Sequence, residues 1–402
     1  MSTDTRAPDT GAGAEPSTRL AYGQGVRAVF ELEMKQRLRS RGWYGLLVAW
    51  FAVIAVVTAL AAYATGFSEG VGQMMFELVM GFVLLFGLLV APALSANSIT
   101  GDRASGTLAV LQNTLLTPGQ LLWGKWVAAW VASLGFLVVS LPMVLWAMSF
   151  GDVHLPAVPA LLGMTAVELG VACAIGVGVS ARASRTLFAV MSTYLLVALL
   201  GLGTLIGFGL GMPLVAEEVR VAEQTWPNDP WSAVEYDAQG RALDAEGRMI
   251  ADQDAYFRDL DRQSQGVEWD PNDYVCSGST YTQDVFHTER ITWLLAANPF
   301  VVVADAAPTR AVHEGSAADF GGTASDGPMA SISSAVRLSQ AGPAYQVPCI
   351  DGVKRAEPLP DGTPSWPLGL GLQMLLASGL VVSGRRRLAT PAGRLTAGTR
   401  VA

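Results

Sequence analysis

Apolar residues are gathered into long blocks along this chain. Six blocks reach about 20 residues or more, the length that a helix needs to cross the hydrocarbon layer of a bilayer. The blocks cover residues 44–66, 73–96, 122–149, 158–180, 186–214 and 366–384. This pattern predicts an all-α polytopic membrane protein with six transmembrane helices, five of them within residues 44–214 and the sixth at 366–384.

Polar and amphipathic segments surround these blocks. Residues 1–25 have no apolar core, so we expect a disordered tail and no cleavable signal peptide. Residues 26–42 place Val and Phe at helical spacing with Lys and Arg between them, which predicts an amphipathic helix on the membrane surface. Residues 385–402 form a second, basic tail.

The basic residues predict the orientation of the spans. Sixteen Lys and Arg residues fall in segments on one side of the predicted spans, whereas the short loops near 66–72 and 151–159 on the other side hold none. Positively charged loops stay in the cytoplasm. We therefore expect a multi-pass protein of the cytoplasmic (inner) membrane with both termini in the cytoplasm.

Residues 215–365 then form a long external region of α/β or irregular structure between spans five and six. The region holds 24 Asp and Glu residues but 10 Lys and Arg, a net charge of −14, so the low isoelectric point says nothing about nucleic acid and we expect no nucleic-acid partner. Residues 291–304 are apolar but short and contain Asn298-Pro299, which predicts a re-entrant or interfacial segment. Residues 313–344 are rich in Gly, Ala and Ser and are expected to be flexible. The role of residues 215–290 stays open.

Two cysteines of this region, Cys276 and Cys349, lie on the side of the membrane where disulfides persist. They either form a disulfide or remain free thiols, and their even number favours the disulfide. Cys173 falls in the fourth span, where a small packing residue is expected.

The connection between spans two and three, residues 98–121, contains the pattern Gly-x-x-x-x-Gly-Lys at Gly119–Lys125. A phosphate-binding loop needs Ser or Thr after the lysine, and here Trp126 follows. The chain is therefore expected to bind no nucleotide. Upstream, leucines at helical spacing mark a short apolar-faced helix, which needs either lipid or a cytoplasmic partner to cover it.

The order of short motifs in this connection resembles the permease (membrane) subunits of type 2 ABC transporters. An acidic-basic turn is followed by Gly-Thr-Leu, further leucines, Thr-Pro and the Gly-Lys that opens span three. Two departures are Asp in place of the usual Glu and a longer external region. The residues concerned are Asp102, Arg103, Gly106, Thr107, Leu108, Leu111, Leu115, Thr117 and Pro118.

The resemblance implies an ATP-driven exporter in which residues 98–121 form a coupling loop that docks on a separate ABC ATPase subunit. The implied partners are this ATPase, a second permease copy or homologous permease, and the lipid bilayer. No cofactor would bind this chain, because the partner subunit uses the ATP. Lys125 and Trp126 are interpreted as anchors at the membrane interface, with Lys125 reaching lipid phosphates.

Two acidic residues lie within the predicted spans. Glu168 falls near the middle of span four. It is either a polar point on the transport path or a proton-responsive group, or else a neutral acid hydrogen-bonded to Ser133, Ser140 or Thr165. Glu77 is expected to reach water at the end of its span.

Three glycines of span five, Gly203, Gly207 and Gly211, repeat every four residues and predict a helix-packing face, within the chain or between two permeases. The histidines show no metal-ligand spacing, so no metal site is expected. We find no catalytic motif for an intramembrane enzyme. The alternative to a transporter is a membrane-anchored receptor or scaffold with an external partner-binding domain.

Overall fold

A computed structural model describes residues 21–68, 70–106, 116–226, 231, 234–237, 239, 241–243, 247–264, 273–308, 327–354 and 362–389. Six helices are long and apolar enough to cross a membrane, which confirms the predicted number of spans. We call them spans one to six. Their bounds are Arg41–Ala64, Gly72–Ser95, Pro118–Met148, Ala157–Arg182, Thr186–Val215 and Trp366–Leu388.

A helix from Tyr22 to Arg39, the amphipathic helix, precedes span one and ends at Ser40, whose backbone is extended. Its face toward the protein packs on span three: Val29 is buried, and a Cβ placed on Gly124 would lie 2.6 Å from the Cβ of Val29. Leu32 and Leu38 remain about half exposed. The helix therefore combines a protein-facing stripe with an apolar face that is open to lipid.

By its contacts the chain divides into two compact units, and the first, the membrane unit, comprises residues 1–203, 297–332 and 366–402. Span four is its central helix, with 61% of its apolar window buried, whereas none of the window of span five is buried. Glycines let neighbours approach span four closely. A Cβ on Gly176 would lie 2.0 Å from the Ser95 Oγ of span two, and one on Gly178 would lie 2.8 Å from the Leu380 Cβ of span six.

Span five is irregular in its middle. Its helix Thr186–Ala198 passes into a π-helical turn at Leu199–Gly203 and continues as the helix Thr204–Gly211 and a 3₁₀ turn at Met212–Val215. A π turn leaves backbone carbonyls with altered partners, so a neighbouring polar group is needed at this depth.

The segment predicted to be re-entrant is broken at Asn298-Pro299. The short helix Trp293–Ala296 ends before it, and the helix Pro299–Ala306, the Asn-Pro helix, begins after it. Asn298 Oδ1 accepts a hydrogen bond from the Phe300 N–H at 2.9 Å, and Asn298 Nδ2 donates to the Gly201 carbonyl at 2.8 Å. The proline and this cap account for the break, and the same amide partners the π turn of span five.

The second unit, the sheet unit, comprises residues 204–296 and 333–365. Four strands lie in the order β4-β1-β5-β6, with β1 antiparallel to β4 from Ala216↔Phe286 to Thr225↔Val275. Val221, Val285 and Val347 form its apolar core. The strands and the separate β2-β3 hairpin have the bounds Ala216–Thr225 (β1), Glu235–Tyr236 (β2), Ala242–Leu243 (β3), Val275–Phe286 (β4), Cys349–Ile350 (β5) and Val353–Lys354 (β6).

Cys276 and Cys349 form a disulfide with a Cα–Cα distance of 5.6 Å, which links β4 to β5 across β1. Short helical pieces of the sheet unit include Gln253–Ser264, Thr288–Arg290 and Pro343–Gln346. The expectation that residues 313–344 are flexible was wrong for 328–340, because Pro328–Gln340 forms a helix with Met329, Ser333 and Val336 buried. Composition alone did not reveal this helix or its buried side chains.

Candidate functional site

The connection after span two begins with a short helix, Thr100–Ala104, the turn helix. Ser180 of span four accepts hydrogen bonds from the N–H groups of Ile99 and Thr100, at 3.0 and 3.1 Å, which satisfies two donors at the start of this helix. Gly106 ends the turn with a φ of 75°, a conformation that suits glycine. Span four thus holds the start of the connection.

Asp102 of the turn helix, Lys125 of span three and Glu33 of the amphipathic helix form one ion cluster. The Lys125 Nζ lies 2.7 Å from Asp102 Oδ2 and also pairs with Glu33 Oε1. The Lys125 side chain is 3% exposed, whereas those of Glu33 and Asp102 are 15% and 25% exposed. A buried cation between two carboxylates fixes three separate elements at one point. We call Glu33, Asp102 and Lys125 the ion cluster.

The interpretation of Lys125 and Trp126 as interfacial anchors needs correction. The side chain of Lys125 turns into the protein, where it pairs with the carboxylates of Asp102 and Glu33. Trp126 donates from Nε1 to the Gly170 carbonyl of span four at 2.9 Å and stacks on Trp130. Trp123, by contrast, is about half exposed, so an interfacial role stays a prediction for this tryptophan.

Two arginines near the ion cluster, Arg103 and Arg37, donate hydrogen bonds to backbone carbonyls of the membrane unit. Arg103 donates from Nη1 to the Ala183 carbonyl, in the connection between spans four and five. Arg37 donates from Nη2 to the Leu94 carbonyl of span two at 3.0 Å. Burial lowers the pKa of Arg37, and the charge of Glu33 opposes that shift. Asp102 and Arg103 are thus both tied to other elements of the membrane unit.

Span three begins with a capping box at the other end of the connection. Thr117 Oγ1 accepts from the Gln120 N–H, Gln120 Oε1 accepts from the Thr117 N–H at 2.7 Å, and Pro118 is the first helical residue. Gln120 Nε2 also donates to the Tyr22 carbonyl of the amphipathic helix at 3.3 Å. The remaining predicted coupling residues, Thr107, Leu108, Leu111 and Leu115, lie outside the described residues.

Glu168 is 1% exposed and lines a small cavity in the membrane unit. None of the three expected hydrogen bonds is present. Ser133 and Ser140 donate to carbonyls of their own helix, at 2.7 and 2.8 Å, and Thr165 Oγ1 has no hydrogen-bond partner. Glu168 Oε1 also lacks a partner, and the Gln373 carboxamide of span six interacts with the carboxyl group. The prediction that Glu168 bonds to Ser133, Ser140 or Thr165 was therefore wrong, because its polar neighbour is Gln373.

Glu77 is buried, at 3% exposed, and the expectation that it reaches water was wrong. It accepts from Gln73 Nε2 at 2.5 Å and from the Ala330 N–H at 2.9 Å, at the start of the helix Pro328–Gln340. A carboxylate at a helix N-terminus satisfies free N–H groups and interacts favourably with the helix dipole. Glu77 thus has a structural partner that lies far along the chain.

The predicted packing face of span five has little to contact inside the described chain. A Cβ on Gly207 would meet nothing within 4 Å, and one on Gly203 would meet only Leu199 of its own turn. One on Gly211 would meet Ile291 at 3.3 Å. A contact with a second permease therefore stays a prediction. Among the described residues there is no group of three His, Cys, Asp or Glu side chains that could hold a metal ion.

A family model described as ABC-2 family transporter protein matches residues 27–236, more than half of the chain. The chain belongs to this family. It is a multi-pass membrane permease of an ABC transporter. The matched range contains most of the amphipathic helix, the first five spans and the whole ion cluster. No curated protein matches the chain.

Sequence reasoning missed two polar partners in this ABC-2 permease. Glu33 was absent from the predicted site, although it follows Val29 by four residues and therefore lies on the protein-facing stripe of the amphipathic helix. A charged residue on such a stripe is a signal that a buried counter-charge exists. Gln373 offered no signal in the sequence. It contacts Glu168 only because span six packs on span four, and the two residues are 205 positions apart in the sequence.

Proposed function

We propose that this permease is the membrane half of an ATP-driven exporter, forms the translocation path with a second permease, and couples to separate ATPase subunits through residues 98–121. The observation that carries the proposal is the ion cluster. It joins the two ends of the coupling loop, the turn helix and the start of span three, to the amphipathic helix.

A loop transmits force only when its ends are held. On one side Asp102 and Arg103 hold the turn helix to spans three and four. On the other side the Thr117 cap and Gln120 hold the start of span three to the amphipathic helix. A displacement of residues 107–115 by a docked ATPase would therefore move spans three and four together rather than bend a slack connection.

Basic residues at the same end of the membrane unit support a cytoplasmic position for the loop. Arg37, Arg103, Lys125 and Arg182 lie there, and Arg182 donates to Ser383 beside the arginines that end span six. Basic segments stay in the cytoplasm. Both termini and the coupling loop would then face the compartment that holds ATP.

The permease itself is proposed to use ATP without binding it. Residues 119–125, which carry the Gly-x-x-x-x-Gly-Lys pattern, lie within the continuous helix of span three, beginning in its first turn. Beyond the first turn, helical N–H groups are bonded to carbonyls of the preceding turn and cannot surround a phosphate. Lys125 is already paired with two carboxylates. Both observations favour a separate ATPase.

The test is co-purification of the permease with its candidate ATPase, followed by ATP hydrolysis in vesicles. Leu108→Asp with Leu111→Asp should abolish both association and stimulation, since each buried leucine contributes about 1.5–3 kcal/mol of apolar contact. Val275→Asp with Val353→Asp is the matched control, because both valines are exposed in the sheet unit. This control should bind and stimulate the ATPase normally.

If the Leu108→Asp, Leu111→Asp variant still retains the ATPase and stimulates it as the wild type does, residues 98–121 are not the coupling element. The alternative of a membrane-anchored receptor or scaffold, whose spans only hold an external domain, would then gain support.

A further inference from the structure

The cavity beside Glu168 lies deep in the membrane unit. Glu168 is the twelfth of the 26 residues of span four, so it lies near the middle of the helix. The cavity measures about 10 Å³, roughly the space of one water molecule. Apart from Glu168 and Gln373 its walls are apolar, from spans two, four and five and from Pro299. It is too small for a transported molecule.

Two oxygen acceptors that line this cavity have no hydrogen-bond partner. They are Glu168 Oε1 and Gln373 Oε1, and both side chains are 1% exposed. The orientation of the Gln373 amide is set by its nitrogen, which donates to the Ala297 carbonyl at 3.1 Å. The Gln373 side chain also hydrogen-bonds to the Glu168 carboxyl group, but its amide oxygen and Glu168 Oε1 each lack a donor. Buried acceptors without a donor are costly in an apolar site.

Two irregular backbone segments of the membrane unit border this cavity, through Leu200 of the π turn and Pro299 of the Asn-Pro break. Gln373 bonds to Ala297, immediately before the Asn298-Pro299 break, and Asn298 bonds to Gly201 in the π turn of span five. Spans four, five and six and the Asn-Pro helix therefore meet at one polar point, Glu168–Gln373–Ala297. Non-helical backbone at membrane depth is tolerated only where such partners satisfy it.

We propose that Glu168 and Gln373 form an intramembrane proton-binding site, in which Glu168 holds one proton and donates it as a hydrogen bond to Gln373 Oε1. A single proton then satisfies both acceptors and removes the charge from the carboxyl group. It also connects span four to span six, and through Gln373 to the break before the Asn-Pro helix.

A proton fits this site better than a metal cation or an ionised carboxylate with a water. A sodium ion needs about five or six oxygen ligands, and the described lining offers the oxygens of two side chains. An ionised Glu168 would need a counter-charge, and no basic side chain lines the cavity in the described structure.

The titratable groups on the elements that pack around span four are engaged elsewhere. Glu77 caps a helix, Lys125 sits in the ion cluster, Tyr194 donates to the Leu89 carbonyl, and Asp305 accepts from the Trp366 N–H. Cys173 is on span four itself and contacts Ala91 and Ser133. The basic residues at the ends of spans four and six are Arg182, Arg385, Arg386 and Arg387.

Infrared spectroscopy of the full chain in lipid vesicles tests the proposal. At about pH 8, where carboxyl groups in water are ionised, the wild type should show an absorption band of a protonated carboxyl group. The band should be lost in Glu168→Gln, whose amide replaces the neutral acid. In Gln373→Leu the band should remain and shift to higher frequency, because the hydrogen bond to the amide oxygen is gone.

Several results would overturn the proposal. If the wild type shows no protonated-carboxyl band at this pH, Glu168 is ionised. This measurement uses the wild type alone and so does not depend on the folding of a variant. A band that survives Glu168→Gln belongs to another residue, and a band that does not move in Gln373→Leu excludes the proposed pair. Thermal stabilisation by sodium over choline, lost in Glu168→Gln, would assign a cation site instead.

Discussion

Replacing Lys125 with Met tests the ion cluster most sharply. Met is nearly as long as Lys but carries no charge, so Glu33 and Asp102 would lose the cation that they share. Removing one partner of a buried ion pair costs about 3–5 kcal/mol. Because these two carboxylates are 15% and 25% exposed and keep some hydration, we expect a loss of about 3 kcal/mol in the free energy of unfolding.

The assay is reversible unfolding of the purified chain by a denaturing detergent in mixed micelles, followed by circular dichroism. A loss of about 3 kcal/mol corresponds to roughly a hundredfold change in the unfolding equilibrium constant. Lys35→Met is the matched control, since Lys35 is 76% exposed and lies 3.8 Å from Glu31 on the helix surface. Exposed pairs contribute about 0–1 kcal/mol, so the control should unfold nearly as the wild type does.

A triple variant separates the charge effect from packing. Lys125→Met combined with Glu33→Gln and Asp102→Asn removes all three charges, and neutral replacement of a buried pair often restores stability. We expect it to regain most of the loss. If Lys125→Met unfolds like Lys35→Met, or if the triple variant is no more stable than the single one, the ion cluster does not hold the three elements together.

Three further predictions concern topology, the disulfide and close helix packing. Reporters at both chain ends should lie in the cytoplasm and one beside Gln253 outside; labelling of the latter from the cytoplasmic side alone would reverse the orientation. Cys276 and Cys349 should resist alkylation without reductant, and their reduction should destabilise the sheet unit by about 4 kcal/mol in chemical denaturation; two readily alkylated thiols would contradict this. Gly176→Ala should destabilise the chain by about 1–3 kcal/mol, because the new Cβ would clash with Ser95. Gly163→Ala is the control and should be neutral or stabilising, since a Cβ there meets nothing within 4 Å. Equal stabilities of the two variants in thermal unfolding would refute the packing argument.

Much of the membrane architecture was readable because a bilayer imposes a length on apolar segments. The predicted spans end within a few residues of the observed helices. The largest differences are at the start of span three, which the Thr117-Pro118 cap extends to Pro118, and at the end of span six, which continues to Leu388. The π turn at Leu199–Gly203 was not predicted, since its sequence is as apolar as its neighbours. The helix Pro328–Gln340 was missed because small residues resemble a flexible segment in composition.

The polar contacts were harder to predict, because they join residues that are distant in sequence. Asp102 and Lys125 were singled out by the motifs around them, but their pairing depends on how the turn helix sits against span three. Glu33 shows a partial signal on the protein-facing stripe of its helix. Glu77 with Ala330, and Glu168 with Gln373, follow only from the packing of whole helices.

The most direct measurement is the composition and activity of the complex that the permease forms in its own membrane. We predict that mild-detergent purification of the tagged chain brings down a second polypeptide in equal amount. ATP hydrolysis by that polypeptide should rise when the two are reconstituted together in vesicles. Purification of the chain without any ATP-hydrolysing partner, or with one whose activity does not respond to the chain, would contradict the account.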